Sequence, residues 1–365
     1  MKASSSQNEF LINNPMSLPE IKLDHLRLLT DDTGILQHAR YNVPHREHGY
    51  CTDDNSRALI AAVLSRSVLP DSHDPGIEAV TYLSFMNHAF NEKTGRFRNF
   101  MTYDRKWLED QGSEDSHARA VQGLGTALLS QPSTLIDPAV DLFERALPAM
   151  SGFRWPRAWA IGLIGIQAFL ECFPGHIGAH RILQSLAERL LRLYEENARQ
   201  DWPWIDNCLT YSNGKIPQAL LLAGHILSRE DMMSAGLRAL DWLMKIQTAP
   251  SGHFAPVGNK GWFPYAGRKA DFDQQPVEAM AMTGACLDAY QFTGDEKWIK
   301  RARFCFEWFL GRNALNTPLY DRQTGACFDG LQPNGPNRNQ GAESTLSWII
   351  SLLRMRIFAK KNDCL

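Results

Sequence analysis

The sequence has no CxxC pair among its seven cysteines, so a zinc ribbon or a disulfide-stapled scaffold is excluded and free thiols in a reducing compartment are expected. It lacks a GxGxxG motif and a GxxxxGKS or GxxxxGKT loop, which removes local support for nucleotide chemistry. Neither sign of charge is in excess: 38 Lys and Arg against 40 Asp and Glu leave −2, no field for nucleic acid or an anionic membrane. The first residues, MKASSSQNEF, lack the apolar centre of a signal peptide. The longest apolar run, 158–173, contains Gln167 and Glu171 and falls short of a membrane span. Alternating β-branched segments are scarce. These absences predict a cytoplasmic protein that needs no cofactor, membrane or nucleic-acid partner.

What is present is organised around Gly49-Tyr50-Cys51-Thr52-Asp53-Asp54-Asn55-Ser56-Arg57, which runs straight into an apolar stretch at 58–64. Thr52 or Asp53 suits an N-cap, and the paired carboxylates suit the positive end of a helix dipole. The stretch behind has almost no polar face, as in a helix buried on most sides.

The arrangement recurs. After a loose lead-in at 1–17, helical spacing of apolar residues marks 18–30, 77–90, 137–150, 178–198, 230–246 and 295–310 as amphipathic helices. Each is followed by a more apolar helix, and the polar motifs begin near 52, 113, 152, 210, 273 and 339, an internal structural repeat. Six such pairs bury every apolar face as two concentric rings of helices. The expected fold is all-α, a single (α/α)6 toroid over 18–360, with every inner helix starting on the same face.

Six polar clusters would then converge in one funnel. Asp54, Asp115, Asp206, Asp273 and Glu343 are the candidate catalytic acids. Gln37, His38, Tyr50, Asp53, Arg57, His117, Arg119, Trp155, Arg157, Trp204, Tyr211, Asn213, Trp262, Gln274, Gln275, Glu278, Arg338 and Asn339 are the candidate sugar contacts. Planar rings stack on the apolar face of a pyranose, and two carboxylates across a glycosidic bond supply general acid and base or nucleophile. Each residue also has a structural role open to it. Asp53 and Asp273 suit caps, the latter ahead of Pro276, and Trp155, Trp204 and Trp262 suit a core. His38, His45, His48 and Cys51 are metal-competent residue types, but their spacing matches no standard site, and no metal is expected.

Asp32-Thr33-Gly34-Ile35-Leu36-Gln37-His38-Ala39, the 49–57 motif, Leu209-Thr210-Tyr211-Ser212-Asn213, Phe272-Asp273-Gln274-Gln275-Pro276 and Asn339-Gln340-Gly341-Ala342-Glu343-Ser344 resemble a bacterial group of (α/α)6 glycosidase-like proteins. Members often carry the label glycosyltransferase, because the module can follow a glycosyltransferase domain in one polypeptide. The resemblance spans about 25–355. It implies the toroid, a carbohydrate substrate and a possible glycosyltransferase partner.

The sequence therefore predicts a glycoside hydrolase. Two rivals stand beside it: a sugar epimerase or isomerase drawing a proton-transfer pair from His38, His48, His117 and His253, and a glycan-binding module without turnover.

Overall fold

The computed structural model describes residues 18–69, 76–129 and 133–362. The lead-in expected at 1–17 lies outside these residues, and so does most of the Pro-rich break at 69–76.

Twelve α-helices occur among the described residues: α1 (Asp24–Leu29), α2 (Thr52–Arg66), α3 (Gly76–Ala89), α4 (Glu114–Ala127), α5 (Ser133–Ala146), α6 (Pro156–Cys172), α7 (Ile177–Asn197), α8 (Lys215–Leu227), α9 (Glu230–Ile246), α10 (Pro276–Thr293), α11 (Glu296–Phe306) and α12 (Ala342–Lys361). Helices α2, α4, α6, α8, α10 and α12 each pack on the next, and α12 packs back on α2, which closes an inner ring. The even-numbered helices are apolar nearly all round because both neighbours and an outer helix cover them. Helices α3, α5, α7, α9 and α11 lie outside with one buried face each. A continuous hydrophobic core runs through both layers. This is the (α/α)6 toroid.

Each outer helix packs mainly on the inner helix that precedes it: α3 on α2, α5 on α4, α7 on α6, α9 on α8 and α11 on α10. That leaves α1 to cover α12, although the two are far apart in sequence. The helix expected over 18–30 is correspondingly shorter than predicted. Only Asp24–Leu29 is helical, because the stretch before it runs along α12, where Arg356 donates to the Leu18 and Pro19 carbonyls at 3.0 and 2.6 Å. Contact with α12, not a helical repeat, explains those apolar positions.

Connections differ sharply between the two ends of the ring. Residues 173–176, 228–229 and 294–295 turn from inner to outer helices, whereas the return loops include 30–51, 90–113, 198–214, 247–275 and 307–341. Two-stranded ribbons brace these long loops. Tyr50–Cys51 pairs with Phe100–Met101 just before α2, and Cys208–Leu209 pairs with Phe263–Pro264 ahead of α8 and α10. Inner helices approach closely where glycine allows it. A Cβ on Gly165 of α6 would stand 2.5 Å from Gln122 Cα and Val121 O of α4. No described helix is long and apolar enough to cross a membrane.

Candidate active site

Because every inner helix begins at the end carrying the long loops, its first turn faces a shared cavity of about 660 Å³. The lining comes from all six: Asp53 of α2, Ser113 to Asp115 and Arg119 at α4, Trp155 before α6, Tyr211 and Ser212 before α8, Gln275 and Val277 at α10, and Glu343 of α12. Asn259 and Trp262 of the loop before α10 complete it.

The lining is two-sided. The carboxylates sit on three successive inner helices, α12, α2 and α4, and the rings stand on the other half, near the starts of α6, α8 and α10. On the acidic half, charges alternate. Arg119 Nε lies 2.8 Å from Asp53 Oδ1 and 3.2 Å from Asp115 Oδ2, which bounds those two oxygens at about 6 Å from each other. Arg57 Nη1 lies 3.3 Å from Asp53 Oδ2 and 2.9 Å from Asp54 Oδ1, and its Nη2 is 2.7 Å from Glu343 Oε2. The order along this chain is Asp115, Arg119, Asp53, Arg57, Glu343. Both guanidiniums are buried, at 5% and 3% exposure, so their pairing with carboxylates is what makes the burial tolerable. Asp115 Oδ1 has no hydrogen-bond partner in the protein. Glu114 Oε2 instead accepts the Arg154 and Trp155 N–H groups at 2.8 and 3.0 Å, fixing the start of α6 to that of α4.

On the other half, Trp155 is 69% exposed, and the rings of Tyr211 and Trp262 lie 6.5 Å apart. Arg157 stacks over Tyr211 at 5.1 Å and donates to its carbonyl.

Of the candidate acids, then, Asp115 and Glu343 line the cavity, joined by Asp53 from among the expected sugar contacts. Asp54 points beneath, where Cys51 Sγ donates to it at 3.2 Å. Burial pushes its carboxyl up to about 7, with the Arg57 charge opposing that rise. Asp206 Oδ1 accepts the Cys208 N–H at 2.9 Å, and Asp273 Oδ2 accepts from Gln332 at 3.2 Å; neither lines the cavity. The N-cap of α2 is Cys51, whose sulfur accepts the Asp54 N–H, in place of the expected Thr52 or Asp53. The N-cap of α10 is Gln275, in place of Asp273.

Arg119, Trp155, Tyr211, Trp262 and Gln275 line the cavity, and the remaining sugar-contact candidates stand elsewhere. Tyr50 is buried and donates to Asp31 at 2.6 Å. His117 is wedged between Phe97 and Phe153 with its ring bonded to the Ala146 carbonyl, and burial lowers it to about 3. Trp204 is fully buried, and Gln274 is held by Trp308 and the Asp271 carbonyl. Asn213 and Glu278 are buried behind Ser212 and bond each other. Gln37 donates to the His48 carbonyl, Asn339 accepts the Tyr41 N–H, and Arg338 lies over the Tyr41 ring. His38, His48 and His45 form a row of edge-on rings 4.7 and 4.6 Å apart, while the Cys51 thiol faces Asp54 instead. Among the described residues no group of three or more His, Cys, Asp or Glu is placed to hold a metal ion. Ser113, Ser212, Asn259 and Val277 were not anticipated; Asn259 sits in an aperiodic loop that offered no signal.

No family model and no curated protein matches the sequence. Solved structures do match the fold. Cellobiose 2-epimerase from Bacillus thermoamylovorans superposes with a TM-score of 0.70 at 13% identity, covering 97% of this chain and all of that one. A D-mannose isomerase gives 0.67 at 11%, covering 99% and 100%. A family 76 α-mannanase of Bacteroides thetaiotaomicron gives 0.63 at 10%, covering 93% and 95%. The shared architecture is the (α/α)6 toroid.

Proposed function

We propose that the protein is a glycoside hydrolase acting on an oligosaccharide or polysaccharide fragment held in the cavity. One observation carries the reading: four carboxylates and three aromatic rings share the lining, and no histidine is among the lining residues. Rings give a pyranose an apolar platform, and carboxylates on the facing side supply acid and base at the glycosidic bond. Asp115 and Glu343 close the two ends of the ion-pair chain, each held by an arginine through one oxygen. In this reading they form the acid and base pair. Asp53, gripped by both arginines, is a stationary charge that favours an oxocarbenium-like transition state.

The rival is a sugar epimerase or isomerase, the activity named for two of the similar structures. That chemistry needs a proton-transfer pair, and the candidate histidines lie outside the lining, with His117 sealed in the core. Incubation with a panel of bacterial oligosaccharides, read by mass spectrometry and ion chromatography, separates the readings. Cleavage to smaller sugars, with kcat reduced about a thousandfold or more in Asp115→Asn and Glu343→Gln, is expected. Isomers of unchanged mass would replace the hydrolase by the epimerase. Binding without product in wild type and variants alike would leave a glycan-binding module.

A further inference from the structure

Glu278 is a buried carboxylate beside the cavity that the proposed chemistry does not use; it is 1% exposed. It stands in the first turn of α10 and reaches across to the turn that precedes α8. Its Oε1 accepts the Ser212 N–H, and its Oε2 faces the Asn213 N–H at 3.4 Å and the Asn213 amide at 3.3 Å. Ser212 has φ +50°, a backbone region that an L residue keeps only where its surroundings hold it. Two successive backbone N–H groups converging on one anion form a nest, filled here by the protein's own side chain.

The same turn carries the aromatic half of the cavity. Tyr211 precedes Ser212, and Arg157 ties itself to the turn by donating to the Tyr211 carbonyl at 2.8 Å and to Asn213 Oδ1 at 3.4 Å. We infer that Glu278 is a positioning residue: its carboxylate fixes the 211–213 turn, to which Arg157 is also tied, and so aims Tyr211 at the bound sugar without touching it. This rests on the carbohydrate reading of the cavity. The groups facing Glu278 are the Ser212 and Asn213 N–H donors, the Asn213 amide and the Arg157 charge. Burial pushes the carboxyl up to about 7 against those donors. Protonation below that pH withdraws an acceptor from the nest, so KM rises as pH falls through about 7 while kcat holds.

The test pairs amide hydrogen exchange at Ser212 and Asn213 with steady-state kinetics on the oligosaccharide hydrolysed in the panel. In Glu278→Gln, exchange at both amides and KM each rise about tenfold, kcat stays within about threefold, and the pH dependence of KM disappears. Glu278→Asp, which keeps the charge on a shorter reach, recovers part of the KM loss. If Glu278→Gln does not fold, the wild-type KM series across pH 5–9 and the aspartate variant decide. Loss of kcat at unchanged KM would overturn the inference by placing Glu278 in the chemistry. Unchanged exchange would overturn it by showing that the turn holds itself. If no oligosaccharide is hydrolysed, the hydrolase reading fails, and the exchange arm still decides whether Glu278 holds the turn.

Discussion

Asp54→Asn removes a charge while keeping the shape of the side chain and a carbonyl acceptor for Arg57. The wild-type carboxyl, displaced by burial from 3.8 to about 7, keeps its proton in the folded state through a range where the unfolded chain has released it. Stability from this group is therefore present below the unfolded value and is lost as pH rises from about 4 to 7. Roughly three pH units at 1.36 kcal/mol each give about 4 kcal/mol across that window. With about 2.1 cal/mol/K of unfolding entropy per residue over 365 residues, this corresponds to about 5 °C in Tm. Calorimetry of both proteins at half-unit steps from pH 4 to 8 reads the difference directly. The variant is expected to gain about 5 °C relative to wild type between the two ends. Parallel Tm curves would refute the reasoning, since they would mean that Asp54 titrates in the folded protein as it does in the unfolded chain.

Gly165→Ala forces a methyl group against the α4 backbone, so α4 and α6 must part; a loss of about 3 kcal/mol in denaturant unfolding is expected. Trp155→Ala, at an exposed position, leaves stability within about 0.5 kcal/mol in the same assay. Its KM for the hydrolysed oligosaccharide is expected to rise about tenfold with kcat nearly unchanged, as for a residue that binds ground and transition states alike.

The rings were legible in the sequence because a helix covered on every side needs apolar residues on every side, and 58–64 and 158–173 have them. Amphipathicity says which face is buried but not by which neighbour. The packing of each outer helix on the preceding inner one, and the cover of α12 by α1, therefore could not be read from periodicity. At the site, the residue types gathered at the inner-helix starts were legible, and their directions were not. Asp53 and Asp54 are adjacent acids in one first turn, yet about 100° of helix rotation sends one into the cavity and the other beneath it. At α10 the N-cap Gln275 reaches the lining, while Glu278 in the first turn behind it is buried. His117 shows the reverse: a polar residue in a polar motif is satisfied within the core, by the Ala146 carbonyl and the Phe97 N–H, between two rings.

The cover of α12 by residues 18–29 has a consequence for the order of assembly. His25 bonds the Gln340 carbonyl across 315 positions, and Arg356 reaches Pro19 across 337. Every other inner helix is followed within about ten residues of chain by its outer partner, so those pairs form from local contacts. The last pair requires the largest loop closure in the molecule, which makes it the slowest contact to find and the least rewarded until the other five pairs exist. On a ribosome, residues 18–29 emerge before the other eleven described helices and wait longest for their partner, because their binding surface is not complete until α12 has been made.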